Sequence, residues 1–178
     1  MNRKFLKFLH WTVFPLLLYF LIIEPEDVED TATPQGATDA LATHAGMGLL
    51  LAVLVAIWWF SYWRNGQTGR PGPKLAPWAK RFHAIGHRAL YWALPIVMLS
   101  GAFAGLAAPF AVMGFGFIPM NFGGSEAVHD IATEIHEIAF DALLVLSIAH
   151  LAFHLWRHYL VKDNALRIMA PKALHRWL

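Results

Sequence analysis

The sequence predicts an all-α integral membrane protein, a four-helix bundle whose two termini both lie in the cytoplasm. Hydrophobic residues make up 57% of the 178 residues and charged residues only 15%, against about 25% charged residues in an ordinary soluble domain. Four apolar stretches reach the length of about 20 residues that a helix needs to cross a bilayer. Basic and acidic residues also alternate between successive connections. The whole chain, 1–178, is therefore expected to form one transmembrane domain.

The first three predicted spans follow from hydropathy. The first covers about residues 5–23 and contains Pro15, where we expect a kink. The second, residues 40–63, contains no Asp, Glu, Lys or Arg and ends in a cluster of Trp, Phe and Tyr residues, which is typical of a membrane interface. The third covers about residues 82–108, and Pro109 ends it.

The fourth span, about residues 131–160, is the least apolar, because Glu134, Glu137 and Asp141 fall near its start. These acids share one helix face, and the helix dipole favours negative charge in a first turn. The apolar stretch Phe110–Phe122 contains Gly and Pro and is too short to cross. We therefore expect it to form a loop that lies in the membrane interface.

Charge predicts the orientation. All fourteen Lys and Arg residues fall on one side of the four spans, and eleven of the twelve acids fall on the other, with Asp163 as the exception. By the positive-inside rule, the basic side with both termini is cytoplasmic. A signal peptide over residues 1–23 is a rival interpretation, but acids follow this stretch and His10 lies within it. Because topology explains the basic segments, we expect no nucleic-acid partner.

Histidine is the candidate ligand in this chain, which has ten histidines and no cysteine. The lack of cysteine excludes thiolate zinc sites, iron–sulfur clusters and covalently attached haem. His136 and His150 are fourteen residues apart, so they return to within about 40° of the same helix face and lie about 21 Å apart along the axis. The fourth span therefore presents two imidazoles to one side at two depths.

The predicted topology supplies a partner for each of these imidazoles. His44 begins the second span at the outer level of His136, and His10 in the first span lies at the inner level of His150. Two bis-histidine sites in a chain without cysteine indicate two non-covalent b-type haems, whereas zinc more often adds Cys, Asp or Glu ligands. His154 is one turn beyond His150 and is the alternative inner ligand.

Several short motifs occur in order along the chain: His10-Trp11, His44-Ala45-Gly46-Met47-Gly48, Arg64, His87 to Tyr91 with Pro95 and Ser100-Gly101, Ile135-His136-Glu137, and His150 and His154 followed by Lys162-Asp163 and Met169. Over nearly the whole chain this pattern resembles the prokaryotic cytochrome b561 family of four-helix, di-haem proteins of the bacterial inner membrane. The resemblance implies that His10 and His150 ligate an inner haem iron, and that His44 and His136 ligate an outer one.

The cytoplasmic start of the third span carries further candidates. His83, His87, Arg81 and Arg88 can be read simply as interfacial histidines and topology-setting charge. In the functional interpretation, Arg81 or Arg88 pairs with haem propionates, and a histidine (His83, His87 or His154) helps to protonate a quinone or binds a propionate. His129, seven residues before His136, is expected in the outer loop and is an alternative ligand if the fourth helix starts early. His158 and His175 are assigned to the interface or the tail.

Two bis-histidine haems about 20 Å apart leave no open iron position, so the predicted function is transmembrane electron transfer. The family resemblance implies oxidation of superoxide at the periplasmic face and reduction of ubiquinone. The acidic outer segments, which lack Lys and Arg, would repel an anion. They favour a second hypothesis, a relay or anchor subunit between the quinone pool and a basic periplasmic redox protein. A third hypothesis is a haemless scaffold or transporter whose histidines bind metal.

Overall fold

The structure is a computed structural model that describes residues 3–22, 34–65, 72 and 74–177. Its long helices are α1 (Arg3–Ile22), α2 (Pro34–Asn65), α3 (Pro77–Ala107) and α4 (Glu126–Tyr159). A short helix, α5 (Ala165–Met169), and a 3-10 turn (Lys172–Leu174) follow. Each of the four long helices is apolar enough and long enough to cross a membrane. The predicted all-α membrane fold is confirmed.

The long helices pack in chain order. Helix α1 lies beside α2, α2 beside α3, and α3 packs along most of α4. The α1–α2 contact buries a cluster of apolar side chains: Val13, Leu16, Phe20, Leu51 and Val55. Other large apolar residues face outward, and Leu99, Ile138 and Val145 are each more than 60% exposed. A bundle with such an apolar exterior fits a bilayer and not water.

Hydrogen bonds bring the two ends of the chain to one end of the bundle. Lys7 Nζ donates to the Ala170 carbonyl oxygen (3.4 Å) and Trp11 Nε1 to that of Met169 (2.8 Å). The start of α1 and the segment after α4 therefore lie together, as the alternating topology requires. Helix α1 continues through Pro15. That this end faces the cytoplasm stays a prediction from the charge pattern.

A buried ion pair organises the same end of the bundle. Arg157 Nε and Nη2 both donate to Asp163 Oδ2, at 2.9 and 2.8 Å, and both side chains are 1% exposed. Lys162 and Asn164 adopt left-handed backbone conformations, with φ of 55° and 58°, and so turn Asp163 back toward α4. Gly72 packs directly against the pair. The one acid on the basic side of the chain thus neutralises a buried cation.

The stretch between α3 and α4, predicted as a loop, contains a small antiparallel hairpin. Strand β1 (Met113–Gly114) pairs with β2 (Ile118–Pro119). The buried Asn121 side chain fastens its base, accepting from Val112 N and donating to the carbonyl oxygens of two further loop residues at 2.8–2.9 Å. Phe115 N donates to the Ala42 carbonyl oxygen at 2.7 Å. The hairpin therefore packs against the side of α2, about two turns after its start, at the end of the bundle opposite the termini.

The start of α4 corrects two expectations. The helix begins at Glu126, five residues before the predicted span, so His129 lies in its first turn and not in a loop. Glu134, Glu137 and Asp141 consequently lie two or more turns inside the helix, with exposed side chains. Because the helix dipole acts within the first turn, it does not explain these acids. The acidic connection at residues 24–33 and the segment 66–71, with Arg70, lie outside the described residues.

Candidate functional site

The outer pair of predicted ligands meets across the bundle. The rings of His44 on α2 and His136 on α4 have centroids 6.3 Å apart and planes at 89°. Two imidazoles on opposite faces of one iron, each with a metal–nitrogen distance of about 2 Å, have ring centres about 6 Å apart. The spacing of this pair therefore suits a shared iron.

Helix α3 sets the orientation of the His136 ring. Ser100 Oγ donates to the Val97 carbonyl oxygen at 3.0 Å and lies 3.1 Å from His136 Nδ1. Since the hydroxyl proton is used by Val97, Nδ1–H donates to Ser100 Oγ and Nε2 keeps its lone pair. This is the arrangement that a metal-bound histidine commonly shows. Gly101 lies flat against the same ring: a Cβ there would come within 2.7 Å of His136 Cε1.

The His44 side chain is held by packing. Its ring contacts Phe20 edge to face, with centroids 4.9 Å apart. Its Nδ1 is buried and has no hydrogen-bond partner among the described residues. A buried ring nitrogen that no neighbouring group of the described residues occupies fits a partner from outside the chain.

The inner level holds a larger group of histidines than expected. The His150 ring on α4 lies 4.9 Å from that of His87 on α3 and 4.5 Å from that of His154. His87 also contacts His83, at 4.1 Å between centroids. The sequence placed His83 and His87 in a separate interfacial group. The i, i+4 spacing of these two histidines places both rings on one face of α3. In the structure this face lies against α4.

His10 lies at the edge of this inner group. Its ring contacts those of Trp11 and Trp58, each at 6.1 Å between centroids, and its Nδ1 is buried without a partner in the described part of the chain. Among the described residues no ring contact joins His10 to His150, so the pairing of these two residues stays a prediction, and both His150 and His154 remain candidates for the inner ligand.

Other predicted residues lie outside these two groups. Arg81 and Arg88 are exposed on α3, and Arg81 lines a shallow groove with Trp78 and Phe82. His158, expected at the interface, is only 8% exposed. Arg157 was placed on the basic side from the sequence, but its buried ion pair was not predicted, because its partner Asp163 is in the following turn and reaches it only through left-handed backbone.

The fold and these sites define a class. A multi-pass helical bundle with a facing imidazole pair at one level, a group of histidines at the other and no cysteine fits a membrane-bound cytochrome of the haem b type. The family profile of prokaryotic cytochrome b561 matches residues 3–172, and the chain belongs to that family. It is similar to cytochrome b561 homolog 2 of Escherichia coli (strain K12), 29% identical over 133 residues that cover 73% of this chain and 70% of the relative. The protein is therefore a multi-pass bacterial membrane protein of haem b electron transfer.

Proposed function

We propose that the chain binds two haem b groups, with His44 and His136 as axial ligands of the outer haem and His10 and His150 as those of the inner haem. The 6.3 Å spacing of the His44 and His136 rings carries the proposal for the outer site. The offset of fourteen positions from His136 to His150 separates the two levels by about 21 Å. The unpartnered ring nitrogens of His10 and His44 support the same assignment.

Bound haem b would supply a one-electron carrier at each level. If His44 with His136 and His10 with His150 hold the two haems, each iron would have two imidazole ligands and would keep no position for oxygen to bind. The Nδ1–H bond from His136 to Ser100 holds the outer ring in the tautomer that directs Nε2 to the iron. The chain therefore serves electron transfer and not oxygen activation.

The overall reaction that we propose is oxidation of superoxide at the periplasmic face coupled to ubiquinone reduction in the inner membrane. Two superoxide anions yield two molecules of oxygen, and the two electrons together with two protons convert ubiquinone to ubiquinol. The inner histidines His83, His87 and His154 are the candidate quinone or proton site. Arg81 and Arg88 are the candidate partners for carboxylates at the same end. In this proposal both termini are cytoplasmic.

A second candidate function is supported by charge. The outer part of α4 exposes Glu134, Glu137 and Asp141, and a surface of this sign repels superoxide but attracts a basic protein. Next to it, Phe117 and Phe122 on and beside the hairpin are 71% and 100% exposed. These features suit a relay or anchor subunit that passes electrons between the quinone pool and a periplasmic redox protein.

A visible spectrum of the purified protein before and after a pulse of superoxide separates these functions. The superoxide:quinone function predicts that b-type bands become reduced, that superoxide dismutase abolishes this, and that added ubiquinone reoxidises them. The relay function predicts a response to quinol or dithionite only. Absence of haem bands would contradict both functions.

Alanine variants test the ligand assignment. His44→Ala and His136→Ala should each remove the outer haem, and His10→Ala and His150→Ala the inner one, as measured by haem content and redox titration. If the two members of a pair affected different haems, the pairing would be wrong. His154→Ala decides the alternative, because it should leave both haems in place if His150 is the ligand.

A further inference from the structure

Three histidines outside the proposed haem pairs meet where α3 contacts the inner half of α4. His83 and His87 belong to α3, and His154 belongs to α4. One ring nitrogen from each lies within 4.8 Å of the other two. The ring centroids are 4.1 Å apart for His83 and His87, and 5.6–5.7 Å apart from each of these to His154. Three imidazole nitrogens therefore converge on one small volume.

The local geometry of α3 prepares two of these rings to bind an ion. His83 and His87 are four residues apart, the spacing that places two metal-binding histidines on one helix face. The His87 Nδ1–H donates to the His83 carbonyl oxygen at 2.8 Å. A carbonyl can only accept, so His87 Nε2 keeps its lone pair. Metal-bound histidines are commonly held by such a bond.

The third ring contributes a nitrogen that needs a partner. His154 Nε2 is buried and has no hydrogen-bond partner among the described residues. A buried polar atom of this kind is costly unless a water or an ion satisfies it. The nearby cation Arg157 is paired with Asp163 at 2.8 Å.

We propose that His83, His87 and His154 form a binding site for a divalent transition-metal ion, with Zn²⁺ as the test ion. Three imidazoles suit zinc, copper or nickel, whereas magnesium and calcium require oxygen ligands. Three protein ligands leave a fourth position of tetrahedral zinc for water. The trio includes neither His10 nor His150, the proposed inner haem ligands, but it adjoins them, because the His150 ring lies 4.9 Å from that of His87 and 4.5 Å from that of His154. The same three residues are the candidate quinone or proton site of the proposed function, so a bound ion would occupy that site. A bound ion cross-links α3 to α4 at this end of the bundle.

Zinc binding to the haem-loaded protein, after removal of any histidine tag, tests the site. We expect one Zn²⁺ per chain by isothermal titration and by metal analysis after dialysis. His83→Gln should weaken binding by roughly 100-fold or more. His175→Gln is the matched control, since its ring lies in the tail and bonds the Ala170 carbonyl oxygen. Equal zinc affinity in His83→Gln and the wild type, or no zinc binding at all, would overturn the proposal.

A second measurement covers the case in which His83→Gln fails to fold or to load haem. X-ray absorption at the zinc edge of the wild-type protein should show three imidazole nitrogens at about 2.0 Å. A shell of oxygen ligands would instead place the ion on the carboxylates of the outer face and refute the site. Neither measurement uses superoxide or quinone. A negative result in either one therefore refutes the metal site and leaves the proposed function intact.

Discussion

Replacing Gly101 by alanine should disturb the outer haem site through one identifiable contact. The new Cβ would lie 2.7 Å from His136 Cε1, 3.0 Å from Nδ1 and 3.1 Å from Nε2. Ordinary contacts between carbon atoms are about 3.5–4.0 Å, so the imidazole must retreat by about 1 Å. A functional site tolerates displacement of its groups by only about 0.5 Å. The retreat also stretches the 3.1 Å bond from His136 to Ser100.

The expected result is that Gly101→Ala loses most of one haem per chain, while the other is retained. Overpacking of this kind costs roughly 1–3 kcal/mol, which is enough to weaken a ligand without unfolding a helical bundle. The assay is the haem-to-protein ratio, determined from the pyridine haemochrome spectrum, together with a redox titration that resolves the two potentials.

Gly105→Ala is the matched control on the same helix, because nothing lies within 4 Å of the Cβ that it would add. Both substitutions raise helix propensity by about 1 kcal/mol, so the difference between the two variants isolates the contact with the ring. If Gly101→Ala and Gly105→Ala contain the same amount of haem with the same potentials, the reasoning about the outer site is refuted.

Three further substitutions test other parts of the structure. Ser100→Ala removes the oxygen that accepts the Nδ1 proton of His136, which lowers the basicity of this imidazole. A redox titration should then show a higher reduction potential for one haem without loss of haem. Asp163→Asn leaves Arg157 buried without its counter-charge and should cost about 3–5 kcal/mol, seen as a lower melting temperature; an unchanged melting temperature would show that the pair is dispensable. Gly46→Ala should displace the Phe115 ring of the hairpin, which lies against Gly46, and should speed hydrogen exchange in residues 113–119. Gly48→Ala is the control, because open space surrounds Gly48, and it should not change this exchange.

Much of the architecture could be predicted from the sequence because a bilayer restricts the solutions. A segment inside lipid must satisfy its backbone hydrogen bonds internally, so each long apolar stretch is a helix and the number of spans follows from hydropathy. Helical periodicity then determines which residues share a face and a depth. This is why His136 could be matched with His44, which lies 92 residues earlier in the chain, before any contact between them was known.

The boundaries were predicted less well, for a physical reason. Hydropathy marks only the apolar part of a helix, whereas α4 extends beyond it into the polar sequence from Glu126. The hairpin at Met113–Pro119 was likewise missed, because its strands are two residues long and depend on the buried side chain of Asn121. Such short strands carry no periodicity that the sequence could show.

Sequence alone determined the class of this protein: the membrane spans, the side on which each connection lies relative to the others, and the two levels at which histidines occur. All of these depend on composition and on helical spacing, which are local properties of the chain. The tertiary structure decided the surroundings of those histidines. Ser100 and Gly101 position the His136 ring, His83 and His87 converge on His154, and Asp163 turns back to Arg157. These arrangements result from side-chain packing between helices and from backbone turns, which no periodicity in the sequence encodes.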